Sequence, residues 1–540
     1  MNRTRKFSSI LSLSSLVFLA TQSYAQWSTD PSNNLIVGYG LLPELASDSA
    51  GGCYITYEQN LSYPRHLILE RLNRYGYKPW GSGKQITGLL PEQSSAKVVE
   101  DGSNGVIVSF QDIEITGGPG NLQFTELLRV QRVDSNGNSL WGVNGVRVSF
   151  SDTQQSSQAI VSDGSGGCIV AWRQSDSILA QWIDSAGVRA WGDSGMTVVA
   201  NTQYSPALIK TEVNRFIVAY GASMKKLDIE GGILWGGQSV NVGFGTRSII
   251  SHDNGDLIVY DAVGNSSNIV YVTQKFDSLG NWSWQAPYVV IAESTLFSVF
   301  GYPLIKTTAN MVILAWEKQT NSVTHIYCQK LSFDGVIQWS NGGVKVSGMS
   351  STDNLIIGAI PSIDGSAIIT WNDLRGGLYS QRLNALGQQI WDSSDVVVSQ
   401  PALSYEKVVV DGSGGCIIVG TREDFSIRVQ QLSRKGNLGE IITSIDYDRP
   451  ELPQHVYLYQ NYPNPFNPTT TIRYDLPSST WVKLEIFDQL GRVVQVLTDA
   501  IQQPGSYEVN FKAESLSSGI YYYRLFTPEK IRVRKLTILK

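Results

Sequence analysis

Histidine and cysteine are scarce in this chain, with four of each in 540 residues. The histidines, His66, His252, His325 and His455, share no spacing, and no His-Glu-x-x-His pair occurs. A zinc site needs a closely spaced set of nitrogen or sulfur ligands, so the expectation is no metal and no cofactor. Charge is also scarce. Asp, Glu, Lys and Arg make up 16% of the residues against 42% apolar, the balance of a globular chain rather than a disordered one. The net charge is −5. From Glu451 on, ten Lys/Arg stand against eight Asp/Glu, so the acidity lies in the body. An acidic body excludes nucleic acid as a partner, because phosphate binding needs a basic surface. Beyond the N-terminus no apolar run is long enough to span a bilayer, so no transmembrane segment is expected.

What is abundant is glycine, at 51 residues, with 39 Trp and Tyr between the glycine-rich turns. That alternation reads as all-β. The N-terminus reads as a secretory signal over residues 1–25. Arg3, Arg5 and Lys6 give a basic start, Ile10 to Ala20 a short apolar core, and Ser23-Tyr24-Ala25 small residues before a cleavage point between Ala25 and Gln26. In an exported chain, four cysteines first suggest two disulfides. Cys53, Cys168 and Cys416 each follow a Gly-Gly and begin an apolar run, which places them at equivalent sites in separate units. Thiols so placed are out of bridging range, and we read them as small core residues.

One register recurs through residues 26–443: Gln, an apolar residue two later, Gly six later and Trp ten later. Gln131, Val133, Gly137 and Trp141 fit it, as do the copies ending in Trp191, Trp284, Trp339 and Trp391. The copies ending in Trp80 and Trp235 replace only the Gln, by Glu70 and Lys225. The eighth copy, Gln430, Leu432 and Gly436, has Glu440 where the Trp belongs. Asp or Asn commonly stands three before the Gly, the preference of a type I turn. A second turn lies midway between these, in its fullest form Asp163-Gly164-Ser165-Gly166-Gly167-Cys168, and leads into a strongly apolar strand. Each unit therefore holds four strands. Four short strands repeating about every fifty residues predict a β-propeller of eight blades, with seven as the alternative and a β-solenoid as the competing architecture. Ile441-Ile442-Thr443 is the expected closing strand, pairing back onto the first blade.

Residues 444–456 read as a linker, with Pro450 and Pro453. Over 457–540 the strand pattern restarts without the register, at Thr471–Tyr474, Val482–Phe487, Tyr507–Phe511 and Ile520–Leu525, as in a small Ig-like β-sandwich. This tail opens with Asn461-Tyr462-Pro463-Asn464-Pro465-Phe466, passes through Ser518-Gly519-Ile520-Tyr521 and closes with Lys535-Leu536-x-x-x-Lys540. Together these motifs resemble the C-terminal sorting domain of the type IX secretion system of Gram-negative bacteria. A plain Ig-like module of the kind in flagellar-hook capping proteins is the alternative. The resemblance implies passage through the periplasm, recognition of the tail by the type IX machinery, and a final place in the medium or on the outer cell surface.

The search for catalytic residues names none. Gly81-Ser82-Gly83-Lys84 lacks the first glycine of a phosphate loop, and Asp134-Ser135-Asn136-Gly137-Asn138 lacks the closing Glu of a calcium loop. One ring of aromatics stands out. Tyr57, Phe110, Trp172, Tyr220, Tyr260, Trp316 and Trp371 end the apolar strands, most followed by a polar residue: Glu58, Gln111, Arg173, Asp261, Glu317, Asn372. They are a candidate ligand rim or, alternatively, packing between blades. The function read from all this is a secreted or cell-surface binding or adhesion module for an extracellular polysaccharide or surface protein. The alternatives are a propeller hydrolase or lyase acting on polysaccharide, with carboxylates such as Glu58, Asp261 and Glu317, and a structural envelope scaffold.

Overall fold

The computed structural model describes residues 27–439 and 456–539, apart from 60–64, 89–91, 117–120, 122, 238, 243–247, 253, 266–267, 285–287, 295–303, 307–310, 321–322, 349–353, 392–394, 462, 477–479, 503–504, 514–515 and 529. The signal segment with Ala25 and Gln26, the linker, and Tyr462 and Lys540 of the tail lie outside the described residues. The chain divides into two compact units, Met1–Ile441 and Ile442–Lys540.

Among the described residues the first unit is propeller-like and holds eight four-stranded antiparallel sheets. Sheets 1 to 7 occupy 41–85, 93–147, 155–199, 207–241, 248–294, 304–345 and 354–399, and sheet 8 occupies 404–432. Sheet 3 is representative: Gln155–Ser162, Cys168–Gln174, Ser177–Ile183 and Met196–Val199 pair in chain order. The first strand of each sheet neighbours the first strands of the sheets before and after, and Ser404–Val410 of sheet 8 returns to Leu41–Ser47 of sheet 1. First strands therefore surround the axis.

Turn chemistry sets the strand order. In sheet 3 the Asp163 carboxylate accepts the backbone N–H groups of Ser165 and Gly167, at 2.7 and 3.0 Å, and so fixes the turn into Cys168–Gln174. Asp48, Asp101 and Asp411 repeat this bond pattern in sheets 1, 2 and 8. In sheets 1, 3 and 8 a buried cysteine follows the turn, and all four thiols of the chain are free.

The Gln–Gly–Trp register is a device that fastens one sheet to the next. Gln131 donates to the Gly142 carbonyl at 2.6 Å and accepts from the Trp141 backbone N–H, which holds the start of the fourth strand. The Trp141 indole N–H then donates to the Ser185 carbonyl in the corresponding turn of sheet 3. A Cβ at Gly187 would lie 2.8 Å from that indole, so the approach requires glycine. Trp80, Trp191, Trp235, Trp339 and Trp391 make the same forward bond, each to the carbonyl two residues before the next turn glycine. Trp284 packs against Gly335 in the same manner.

Closure is made by the first described residues of the unit. Ile441-Ile442-Thr443 lies outside the described residues, and the fourth strand of sheet 8 is Leu35–Tyr39, paired with Ser426–Leu432. The missing eighth Trp is supplied by Trp27. Its indole donates to the Arg74 carbonyl at 2.9 Å and its ring lies against Gly76, two residues further on. Gln430 completes the substitution by donating to the Ser28 carbonyl at 2.7 Å, as Gln131 does to the residue after Trp141. The ring is thus circularly offset: its first residues finish its last repeat.

The second unit is a two-sheet sandwich. Tyr457–Leu458, Thr469–Leu476 and Gly505–Lys512 form one sheet, and Val493–Gln502, Thr480–Phe487, Gly519–Phe526 and Ile531–Ile538 form the other in that order. Ile472 and Tyr474 of one face, with Leu484, Ile486, Tyr523 and Leu525 of the other, share a single core.

Candidate ligand pocket at the inner edge of the ring

The seven strand-end aromatics, read as a ligand rim or as packing between blades, are all buried, which fits the packing alternative and not the rim. Each lies in an apolar cluster built with residues of an adjoining sheet or of its own. Trp172, for example, packs with Cys168 and Leu179 of sheet 3 and with Leu128, Val130 and Trp141 of sheet 2. Both faces of every propeller sheet are covered by neighbours, so large strand-end aromatics fill the wedge between sheets instead of facing water.

The polar residues after them are used internally as well. Glu58 accepts from the Ser95 N–H at 2.9 Å and pairs with Arg65 at 3.2 Å. Gln111 donates to the Gln155 carbonyl, Arg173 to the Gln203 carbonyl, and Glu317 accepts from the Ile356 N–H. The bonds to Ser95, Gln155 and Ile356 reach the first strand of the next sheet, and that to Gln203 reaches the segment leading into it. Asp261 is buried. The carboxylates Glu58, Asp261 and Glu317 come from separate sheets and do not assemble into one site. Among the described residues no group of three His, Cys, Asp or Glu is placed to hold a metal ion.

A different set of residues is brought together. The first strands of sheets 1, 2, 3 and 8 carry a β-bulge near their start, where Leu42, Ser95, Ser157 and Tyr405 adopt left-handed φ of 51 to 58°. A non-glycine residue there costs on the order of 1 kcal/mol. The bulge turns the side chain out of the alternation, and Tyr405 is 54% and Leu42 41% exposed. Beside them is a cavity of about 610 Å³ lined by Leu42, Pro43 and Glu44 of sheet 1, Leu355 to Ile357 and Asn372 of sheet 7, and Leu403 to Lys407 of sheet 8.

The charges of this pocket are arranged across three first strands. Glu44 sits between Lys97 of sheet 2, at 2.5 Å, and Lys407 of sheet 8, at 3.4 Å. Glu406 accepts a hydrogen bond from the Asn372 side-chain amide, and burial raises its pKa above the usual carboxylate range. The Asn372 amide also donates to the Leu403 carbonyl, while its own oxygen is buried without a partner among the described residues. The pocket thus presents carboxylate and amide acceptors, an ammonium donor and an exposed phenol between aliphatic walls.

Of these residues, sequence reasoning singled out only Asn372, and in another role. Leu42, Glu44, Tyr405, Glu406 and Lys407 belong to repeats at opposite ends of the ring sequence. The one local sign is the polar Tyr405-Glu406-Lys407 directly before the apolar Val408–Val410.

In the tail, the opening motif is laid along the last strand. The Asn461 backbone N–H donates to the Tyr523 hydroxyl at 2.8 Å, and its side-chain amide donates to Thr470 and to the Pro463 carbonyl. Asn464 accepts from the Thr537 N–H at 2.8 Å. Phe466 is buried and exchanges backbone bonds with Thr537 and Leu539. Pro465 lies between them, Gly519 opens the third strand of its sheet, Tyr521 is largely buried, and Lys535 is exposed.

Residues 460–539 match the family model for the secretion system C-terminal sorting domain. The resemblance read from the motifs therefore holds, and the tail addresses the chain to type IX secretion and so to the cell surface or the extracellular space. No curated protein matches the sequence. Among solved structures, a polysaccharide lyase, PL25 ulvan lyase bound to an oligosaccharide, is similar at 10% identity over 79% of this chain and 100% of its own, with a TM-score of 0.40. Sqt1 from Chaetomium thermophilum is similar at 10% identity over 74% of this chain and 98% of its own, with a TM-score of 0.38. PorZ, a surface component of the type IX secretion system of Porphyromonas gingivalis, is similar at 9% identity over 95% of this chain and 100% of its own, with a TM-score of 0.19.

Proposed function

We propose that this chain is a non-catalytic binding or adhesion protein, sorted by its tail to the outer surface or the medium, that engages an extracellular partner through the ring. The observation that carries the reading is the pocket at the inner edge of sheets 7, 8 and 1. It is concave, of a volume within the range of about 300–1,000 Å³ common for ligand sites, and mixes apolar walls with a few convergent polar groups. Extracellular polysaccharides and surface proteins are the partner classes. Presenting the labelled full-length chain to glycan and surface-protein arrays tests it. Selective binding is expected, and uniformly negative arrays would end the reading.

A second reading, cleavage of a polysaccharide, is favoured by one observation. Glu406 and Glu44 line the same pocket in unlike surroundings, one half-buried with a raised pKa and one flanked by two ammonium groups. Two carboxyl groups lining one pocket can supply an acid and a base. Release of reducing ends from an array-positive polysaccharide, abolished in Glu406→Gln, would favour cleavage over simple binding.

A further inference from the structure

We propose that the pocket binds an uncharged pyranose segment of an extracellular glycan, with Tyr405 as the stacking platform and Glu406, Glu44 and Asn372 as acceptors for its hydroxyl groups. This inference rests on the binding reading above and names the ligand class of the same pocket.

Charge decides the class. Two carboxyl groups, Glu44 and Glu406, line the cavity with one ammonium group, Lys407, and Lys97 pairs with Glu44 from outside the lining, so the ionisable set is formally balanced. Both lysines are committed to Glu44. An anionic ligand would meet the Glu406 carboxyl, which is hydrogen-bonded to the Asn372 amide and feels Lys407 only through space. A guanidinium or ammonium ligand would meet Lys407, which lines the same cavity. A neutral ligand that both donates and accepts hydrogen bonds avoids both conflicts. A polyol does this: its hydroxyls donate to Glu406, to the free oxygen of Glu44 and to the buried, unpartnered oxygen of Asn372, and accept from Lys407.

Side-chain identity points the same way. The left-handed bulge is shared by four first strands, so the backbone device belongs to the ring. At sheets 2 and 3 it carries serine, whereas the two bulges that line the cavity carry Leu42 and Tyr405. An apolar residue and a phenol, each held in a costly conformation and left exposed, offer the flat surface that the C–H face of a pyranose covers.

The test uses the full-length chain in titration calorimetry. The probes are neutral hexasaccharides of glucose, mannose and galactose, a hexagalacturonate and a lysine hexapeptide. At least one neutral hexasaccharide should bind and the two charged probes should not. Tyr405→Asn keeps a residue that tolerates left-handed φ and should weaken binding at least tenfold with an unchanged thermal midpoint. Glu406→Gln retains shape and should weaken it several-fold. Binding of a charged probe in place of the neutral ones overturns the inference, as does equal affinity in Tyr405→Asn. If arrays capture a surface protein while every neutral sugar fails, the glycan inference falls and the binding reading stands. If nothing binds on any array, both fall.

Discussion

Replacing Trp27 by alanine removes a buried indole, its 2.9 Å hydrogen bond to the Arg74 carbonyl and the surface on which Gly76 packs. Truncations of buried Trp cost about 3–5 kcal/mol. For a ring of about 410 residues the unfolding entropy is about 0.9 kcal/mol per kelvin, so the midpoint should fall by about 3–6 °C. Trp141→Ala, which breaks the equivalent joint between sheets 2 and 3, should fall by the same amount. Trp27→Phe keeps most of the packing and loses the bond, for about 1 °C. Scanning calorimetry of the full-length chain and the three variants is the assay. A shift below about 1 °C for Trp27→Ala, beside a full shift for Trp141→Ala, would refute the claim that the first residues complete the eighth repeat.

Three further predictions concern titration and thiols. Glu406 has a raised pKa through burial, so its neutral form suits the fold and that contribution is lost as pH rises through the folded value. Glu406→Gln should therefore raise the midpoint at pH 7, and the gain should vanish below about pH 4, in parallel melts across pH. Glu485 is the opposite case. Hydrogen bonds from Lys483 and Arg524 depress its pKa, so its contribution is present above the ordinary carboxylate range and lost as pH falls through the folded value. Glu485→Gln should flatten the acid dependence of the tail's unfolding, followed by near-ultraviolet dichroism. Finally, Cys53, Cys168, Cys328 and Cys416 are free and buried, with thiols raised by burial, so a thiol reagent should titrate none in the native chain and four in urea.

The repeats were legible because their turns demand particular residues at fixed offsets. Asp163 must cap its turn, and Gly187 must admit the Trp141 ring. Closure was harder to read. Trp27 lacks a preceding Gln-to-Gly stretch of its own, since that stretch is Gln430 to Gly436 at the far end of the ring. The aromatic strand ends were visible, yet period-two alternation does not separate the axis from the wedge between sheets when both faces are covered. The pocket was hidden for a further reason. Glu44 and Lys407 are 3.4 Å apart in space, and nothing local announces a contact across the whole ring. In the tail, Val493–Gln502 escaped notice because most of its side chains are exposed on both faces, which leaves no apolar alternation to find.

The tail's opening and closing motifs touch: Asn464 and Phe466 hold the strand that ends at Ile538. This bears on how genetic experiments on export are interpreted. Trimming the last few residues also withdraws the support of the first motif some seventy positions upstream, and altering Phe466 frees the C-terminal strand. A secretion defect from either change therefore reports a lost shape as readily as a lost contact with a receptor. Separating the two calls for substitutions at exposed positions such as Lys535, which alter the surface while leaving that mutual support in place.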